Sequence, residues 1–309
     1  MKWKRVGKKD KGDVIDVRGA GPARGGGSGG GFGGIPIPAG AGGIGGGLGL
    51  VILLVVLGLQ MCGNGGSGFD LGSILGPGAV PPSAEDPQPL PPGEDPQEEF
   101  FEFSRSVFSD AQNTWDGSFE AAGKDWQDAE MVVYDGRVNT GGCGSATSAV
   151  GPFYCPADSR VYLDLTFYED MESQLGARGD FAWAYVIAHE MGHHVQNVDG
   201  TNAEVTNLQQ SEPDEANELS VRLELQADCY AGVWAATVFA EGDLEEGDLD
   251  EAFTAAEAVG DDRLQEQAGQ RINTDSFTHG TSEQRRSWFE EGYSSADPAS
   301  CDTFSPDEV

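Results

Sequence analysis

Basic residues, histidine and cysteine are all scarce in this chain of 309 residues, which has only four His and five Cys. Eighteen Lys and Arg stand against 52 Asp and Glu, giving a formal net charge of −34. Residues 25–309 hold ten of those basic side chains and 49 of the acidic ones. Phosphate contacts need a basic surface, so we expect no nucleic-acid partner. The acidic excess indicates a solvated surface, or alternatively a preference for basic substrates.

The cysteines contain no C-x-x-C pair, the spacing expected if they were zinc ligands. Four of them, Cys143, Cys155, Cys229 and Cys301, follow the N-terminal third of the chain. An even number in an extracytoplasmic compartment predicts two disulfides, for which three pairings are possible. Cys62 is left over, either as an intermolecular bridge or as a spare thiol.

Charge is absent from residues 25–69, and residues 44–62 within that stretch are strongly apolar. A helix of about 19 residues reaches about 28 Å, enough to cross the hydrocarbon core of a bilayer. A buried soluble helix finds no core to join among the Gly- and Pro-rich flanks, and no small-residue cleavage site marks a signal peptide. Because the basic cluster precedes this segment, the positive-inside rule predicts a cytoplasmic N-terminus and an extracytoplasmic remainder.

Composition thus predicts four parts. Residues 1–43 form a basic, Gly-rich and disordered cytoplasmic tail, and residues 44–62 form a single transmembrane helix. Residues 63–98 contain about half of the 16 prolines and form an extended linker. Residues 99–309 form one extracytoplasmic domain that is large enough to bury a core. The predicted location is the cell membrane, with a single pass, and the oligomeric state is left open.

The motif His189-Glu190-Met191-Gly192-His193 follows an apolar run and fits an amphipathic helix. Positions i and i+4 project from one helical face, so both imidazoles can bind one Zn²⁺. Glu190 lies beside the ion without being forced to bind it, where a general base takes a proton from the attacking water. The alternative is a chance spacing on a surface helix.

Two acidic residues, Glu224 and Asp228, lie among apolar residues of a second predicted helix at 212–241. A carboxylate in such surroundings is costly unless it is paired or bound to metal. Because His₂Glu with an open position is a known catalytic zinc arrangement, we assign Glu224 as the third ligand. Asp228 then orients a ligand imidazole. The reverse assignment, with Asp228 on the metal, stays open, as does a purely structural role for the pair.

Three segments carry a family resemblance: residues 179–197, 224–232 and 277–285. They resemble the bacterial putative neutral zinc metallopeptidase family, and the similarity spans about residues 100–304 together with the basic N-terminus. The Glu-x-x-Ala-Asp pattern at Glu224 is also similar to that of membrane-associated gluzincin peptidases, in which the Glu binds zinc. This resemblance implies a zincin-like fold and peptidase activity. It also favours the pairings Cys143–Cys155 and Cys229–Cys301.

Short strands are predicted at 131–134 and 161–165, and helices near 180–198, 212–241, 248–268 and 281–291. A small sheet followed by a helical run is an α+β fold. Residues 141–152 are rich in small side chains. They form either an edge strand that pairs with an extended substrate or a disulfide-closed loop without substrate contacts.

The two remaining histidines differ in what can be predicted for them. His279 precedes a helix whose capping box is Thr281 with Gln284. It is either a donor to the oxyanion of the reaction or a loop residue bonded to backbone, and the resemblance favours the first. His194 points about 100° away from His193 and is expected in the core or behind a ligand.

These residues together predict a membrane-anchored zinc endopeptidase with one catalytic Zn²⁺ and a polypeptide substrate. One alternative is an inactive extracytoplasmic interaction module in which zinc only braces the fold. Another is a zinc amidase that acts on a non-protein amide, such as one linked to the cell wall.

Overall fold

The computed structural model describes residues 1–3, 14–18, 95–305 and 309. Helices and small sheets combine there in one α+β domain, which confirms the predicted fold class. Within these ranges no helix is both long and apolar enough to span a bilayer. The predicted transmembrane segment 44–62 and most of the linker lie outside the described residues.

Six strands and eight α-helices form the described part of the chain. The strands are β1 (Val14–Asp16), β2 (Glu130–Tyr134), β3 (Arg137–Asn139), β4 (Ser145–Thr147), β5 (Phe153–Cys155) and β6 (Arg160–Asp164). The helices are α1 (Glu98–Ala121), α2 (Phe167–Asp170), α3 (Asp180–Asp199), α4 (Thr201–Ser211), α5 (Ala216–Glu241), α6 (Asp248–Ala258), α7 (Asp261–Gln267) and α8 (Ser282–Ser295).

The main sheet has the order β1-β2-β6-β5, with only β5 antiparallel to its neighbour. Successive side chains of a strand point to opposite faces. Met131 and Val133 of β2 accordingly join the large core beneath the helices. Val132 and Tyr134 join a smaller core on the other face, where the hairpin of β3 and β4 also packs. The sheet is therefore buried on both faces, and β5 forms its outer edge.

Helix α3 is enclosed by α1, α5 and α6 and packs against β5 and β6. Its approach to α5 depends on Gly192, because a Cβ there would lie 2.9 Å from the carbonyl oxygen of Ala227 and 3.0 Å from its Cα. Backbone atoms cannot yield to such contact as a flexible side chain does. The close approach brings the second half of the H-E-x-x-H motif against the middle of α5.

Some predicted helices and strands match the structure closely, whereas others begin or end at different residues. Helix α3 and strands β2 and β6 lie within a residue of the predicted positions, and Thr281 and Gln284 form the expected capping box. The segment 212–241 begins as a helix only at Ala216, after the 3₁₀ turn Pro213–Glu215. The predicted helix 248–268 is two helices, because Val259 and Gly260 leave helical geometry between α6 and α7.

The N-terminal residues differ from the predicted disordered tail wherever they are described. Val14–Asp16 forms β1, which pairs in parallel with residues Met131–Val133 of β2. Trp3 packs edge-to-face on Phe103 of α1, with ring centroids 5.6 Å apart. Three residues are too short a segment for a strand to be predicted from its own pattern, and here tertiary pairing supplies the stability.

Two disulfides close the structure as the family resemblance predicted. Cys143–Cys155 joins the segment after β3 to the end of β5. Cys229–Cys301 ties α5 to the segment that follows α8. The first bridge thus anchors β5 and the second anchors α5, and both elements pack against α3, the helix of the H-E-x-x-H motif.

Candidate metal centre

Helices α3 and α5 bring two imidazoles and one carboxylate to a common point. The Nε2 atom of His189 lies 3.1 Å from Oε2 of Glu224, and Nε2 of His193 lies 3.5 Å from Oε1 of the same carboxylate. One ligand atom from each of the three residues lies within 4.8 Å of the other two. Glu224 is thus the acid that α5 presents to both ring nitrogens.

The opposite ring nitrogens are held by hydrogen-bond acceptors. Nδ1 of His189 lies 2.8 Å from Oδ1 of Asp228, and Nδ1 of His193 lies 2.9 Å from Oε1 of Gln196. The side-chain amide of Gln196 donates to the carbonyl of Leu223 and to Gln226, which turns its oxygen towards His193. These acceptors favour a proton on each Nδ1, so that a bound metal ion would meet the Nε2 lone pairs on the side of Glu224.

This donor set fits a zinc ion. Two neutral imidazoles and one carboxylate leave one of four tetrahedral positions open, as in catalytic zinc sites. The Nδ1 contacts also fix the tautomer that a ligand histidine needs. Asp228 faces Nδ1 of His189 and not the Nε2 atoms. Gln196 was not predicted, although it lies one helical turn after His193.

Arg285 of α8 is the second residue that the sequence did not reveal as part of the site. Its guanidinium donates to both oxygens of Asp228, at 2.8 Å and 2.9 Å, and the hydroxyl of Tyr185 donates to Asp228 as well. Asp228 is fully buried and Arg285 is 3% exposed. A buried Asp228 demanded a cationic partner, but nothing local in the sequence identified one 57 residues away.

In the site without metal, burial and the neighbouring charges shift the pKa values of His189 and Glu224 in opposite directions. Burial alone lowers the pKa of His189, but Asp228 and the hydrogen bond with Glu224 outweigh it and raise that pKa to about 10. Burial raises the pKa of Glu224, but His193, His279 and the hydrogen bonds with the two imidazoles hold it well below its ordinary value. The centre therefore keeps a carboxylate opposite two imidazoles that attract protons or metal.

Glu190 lies beside this centre with its carboxyl buried. Burial raises its pKa, while the imidazoles of His193 and His189 and the backbone N–H of Tyr154 oppose that shift. A raised pKa suits a group that must accept a proton and later release it. Tyr154 belongs to β5, so its N–H contact places this edge strand beside Glu190.

His194 and His279 have distinct surroundings. His194 lies in the core, with Nε2 2.6 Å from the carbonyl of Gln127 and Nδ1 2.9 Å from the Tyr154 hydroxyl. His279 lies in the loop before α8, with its Nδ1 side towards Asp261. Its imidazole is close enough to Glu224 to influence the pKa of that carboxyl.

A second group of acids, Asp180, Asp248 and Glu251, also lies close enough together to hold a cation. The amino group of Met1 lies 2.9 Å from Asp180 and 3.2 Å from Asp248. A positive charge thus already faces these carboxylates, and we assign no metal there.

The profile of the family described as "Putative neutral zinc metallopeptidase" matches residues 1–304. The chain belongs to this family. It is 54% identical over 209 residues to the protein YpfJ of Escherichia coli (strain K12), which covers 67% of this chain and 72% of YpfJ. It is 47% identical over 186 residues to the protein Mb2605 of Mycobacterium bovis, which covers 57% of this chain and 62% of Mb2605. No solved structure matches the chain.

The donor set of the chain agrees with the metal in the family's name. The matched region extends to the N-terminal residues and includes β1. Family membership and the His189, His193 and Glu224 geometry therefore point independently to zinc as the cofactor.

Proposed function

We propose that this protein is a zinc-dependent endopeptidase with a zincin-like catalytic domain. The observation that carries this function is the convergence of His189, His193 and Glu224, with Glu190 one residue along the helix from His189. The α+β architecture and the pairing of α3 with a glutamate-bearing α5 support the zincin-like assignment. Membrane attachment through residues 44–62 is part of the proposal on sequence grounds alone.

Each residue of the site has a defined task in peptide hydrolysis. When bound, zinc supplies Lewis acidity that polarises the scissile carbonyl and lowers the pKa of water. Glu190 accepts a proton from the attacking water and then passes it to the leaving amine. Asp228 and Gln196 hold the Nδ1 protons of the ligand imidazoles, and Arg285 keeps Asp228 ionised at the back of His189.

A polypeptide substrate is proposed to lie along β5, which is an edge strand of the main sheet in the described part of the chain. An extended chain that pairs with an exposed strand gains main-chain hydrogen bonds and leaves specificity to side-chain pockets. Tyr154 anchors β5 to α3, since its hydroxyl contacts both His194 and the side-chain amide of Asn197. A peptide added to this edge would run past Glu190, which is where the scissile carbonyl has to lie.

The two disulfides bear on the compartment of the domain. The number of zinc ligands bears on the alternative in which zinc only braces the fold. Two disulfides favour an oxidising, extracytoplasmic location for the domain. A structural zinc site usually has four protein ligands. Within the described residues only three side chains meet at this centre, and Glu190 would have no role there.

The direct test is Glu190→Gln in the full chain, with Glu120→Gln as the matched control because Glu120 is exposed on α1. Zinc content is measured by atomic emission, and turnover with an unfolded, fluorescently quenched protein substrate. We expect both variants to retain one zinc. We expect turnover to fall by about 10²–10⁴-fold in Glu190→Gln alone.

Full activity of Glu190→Gln would remove Glu190 as the base. A zinc-loaded wild-type protein that cleaves no peptide bond would favour the bracing role. Cleavage of a wall-derived amide in place of protein would favour the amidase.

A further inference from the structure

Asp261, the first residue of α7, holds the loop that carries His279. Its Oδ2 accepts the backbone N–H groups of Thr278, His279 and Gly280 at 2.7 Å, 2.6 Å and 3.2 Å. Its own N–H donates to the carbonyl of Gly280 at 2.8 Å. Its second oxygen, Oδ1, lies 3.3 Å from Nδ1 of His279, which also contacts the Thr278 hydroxyl at 3.0 Å. One side chain thus fixes three consecutive peptide groups and one edge of the imidazole.

The same loop is pressed against the metal-ligand helix. Gly280 has a φ of +86°, and a Cβ there would lie 3.2 Å from Leu225 and 3.3 Å from Val221 of α5. Leu225 is the neighbour of Glu224. His279 is therefore held next to the residue that completes the metal centre. In the described part of the protein, no hydrogen bond engages its Nε2.

We propose that Asp261 is a positioning residue that orients His279, so that the Nε2 edge of the ring faces the carbonyl under attack. The Asp261 carboxylate and the Thr278 hydroxyl beside Nδ1 set the plane of the ring. An N–H on Nε2 can then stabilise the oxyanion as it develops. This role rests on the proposed function and assigns to Asp261 a part in it that the sequence did not predict.

The chain offers a matched control in the next residue. Asp262 also binds a loop backbone, since its Oδ1 accepts from the N–H and the hydroxyl of Ser282 at 2.8 Å and 2.9 Å. It braces the start of α8 but makes no hydrogen bond with His279. Asp261→Ala removes three backbone contacts and Asp262→Ala one backbone contact and one hydroxyl contact, and only the first releases the imidazole.

The kinetic test compares Asp261→Ala, Asp262→Ala, His279→Ala and the double variant Asp261→Ala/His279→Ala, each as the full-length zinc-loaded protein. We expect Asp261→Ala to lower kcat by about 10–100-fold, with KM within about twofold and zinc content unchanged. We expect no further loss in the double variant relative to His279→Ala, because the effect passes through the imidazole. Asp262→Ala should leave kcat within about twofold of the wild type.

An equal loss on the His279→Ala background would show that Asp261 only braces the fold, and would overturn the proposal. So would a loss confined to KM. If His279→Ala itself keeps full turnover while Glu190→Gln does not, the positioning role fails and the peptidase function stands.

A second measurement does not depend on activity. Nitrogen-15 NMR of the four histidine rings reports where each ring carries its proton, and His279→Ala identifies the signals of His279. In Asp261→Asn, which preserves the shape of the side chain, we expect the His279 signals to move while those of His189 and His193 stay in place. Unmoved His279 signals in a folded protein would overturn the proposal.

A separate observation concerns the N-terminal residues. β1 pairs with β2, and the N–H of Val17 extends that pairing by donating to the carbonyl of Val133 at 2.8 Å. Arg18 is 2% exposed and binds Asp16 and Asp95 at 2.8 Å and 2.7 Å. Arg18 and Asp95 stand on opposite sides of residues 19–94 in the sequence, so both flanks of that segment meet in one ion pair.

From this contact we infer that residues 1–18 and residues 95–305 lie on the same side of any membrane that residues 44–62 enter. A single crossing would separate the two flanks by the thickness of the bilayer, about 30 Å. The ion pair and the shared sheet require contact. The charge-based orientation, with the N-terminus opposite the catalytic domain, conflicts with this geometry.

Cysteine labelling of the full chain tests the inference. On a Cys62→Ser background, one variant carries Lys2→Cys and another carries Glu120→Cys; both positions are exposed. A membrane-impermeant maleimide is applied to spheroplasts, with detergent-permeabilised cells as the control for reactivity. Labelling of both positions, or protection of both until detergent is added, is the expected result. Labelling of one position alone would overturn the inference.

Discussion

Two aspartate–histidine pairs flank the centre of this protein, and they differ in how the aspartate is held. Asp228 contacts Nδ1 of His189 and is itself held by side chains, those of Arg285 and Tyr185. Asp261 contacts His279 and is held mainly by backbone N–H groups. The first pair is sealed in the core between α3, α5 and α8, whereas the second lies in a loop at the edge of the site.

Under the proposed function, the two imidazoles have different tasks at their Nε2 atoms. A metal ligand must present a lone pair on Nε2 and stay in one place, which a charge network in the core enforces. A donor to the oxyanion must present a proton on Nε2 next to the bound substrate, which a short backbone-anchored loop allows. Under the proposed function, two similar aspartate–histidine pairs serve opposite needs, one as a metal ligand and the other as a proton donor.

The largest effect should come from exchanging each imidazole for alanine. His189→Ala removes a ligand, so we expect zinc affinity to fall by more than the roughly 100-fold typical of losing an orienting partner, and turnover to vanish. His279→Ala should retain one zinc, with turnover lower by about 10²–10³-fold. Zinc content after dialysis and initial rates report both. Loss of zinc in His279→Ala would break the distinction between the two pairs.

Removing the cation behind Asp228 should have the next largest effect. Arg285→Met leaves a buried carboxylate unpaired, and we expect a loss of about 3–5 kcal/mol in the free energy of unfolding. Zinc affinity should also fall by about 10–100-fold.

The control is Arg286→Met, because Arg286 is the next residue but pairs with Glu257 at the surface, 46% exposed. A surface pair contributes only about 0–1 kcal/mol. Denaturant unfolding of the two variants gives the comparison. Equal losses in both would contradict the buried network.

The pH dependence of zinc binding should also distinguish His189, a proposed ligand, from His279, which is not one. With the pKa of His189 at about 10 in the protein without metal, zinc must displace a proton at neutral pH. Affinity should therefore rise about tenfold per pH unit between about pH 6 and 8 for each proton released. The His279→Ala variant should show the same slope, as measured by chelator competition. An affinity independent of pH would contradict the assignment of His189.

The smallest effect should come from Tyr185→Phe. This change removes one hydrogen bond to the Asp228 carboxylate while Arg285 remains. We expect a loss of about 1.5–3 kcal/mol in unfolding free energy and only a modest change in zinc affinity. Calorimetric unfolding with and without zinc measures both. A loss as large as that of Arg285→Met would mean that Tyr185, and not the arginine, is the main support of Asp228.

The sequence predicted the residues that meet at the candidate metal centre better than the residues that surround them. His189, Glu190 and His193 share one helical turn, so their spacing alone places them together. Glu224 and Asp228 share one face of α5, so periodicity could not decide between them. The structure distinguishes them, because Glu224 faces the Nε2 atoms and Asp228 faces the back of His189.

The contacts that the sequence missed are distant along the chain or very short. Arg285 meets Asp228 across 57 residues, and Asp261 meets His279 across 18. Strands β1 and β5 have three residues each, too few for an alternating pattern. Helix α1 was also missed, since its acidic start resembled the end of the linker. Helix α1 does carry a local signal, because its buried Phe103, Val107, Ala111 and Trp115 follow a helical period. Tertiary packing determines the other features, and no local pattern records them.

The most direct test of the central claim is zinc X-ray absorption spectroscopy on the zinc-loaded Glu190→Gln protein, compared with the same protein carrying Glu224→Ala or Asp228→Asn. We predict two imidazole nitrogens at about 2.0–2.1 Å and one carboxylate oxygen at about 2.0–2.2 Å. This pattern should disappear with Glu224→Ala and persist with Asp228→Asn. A spectrum that loses its carboxylate oxygen only when Asp228 is changed would contradict the account.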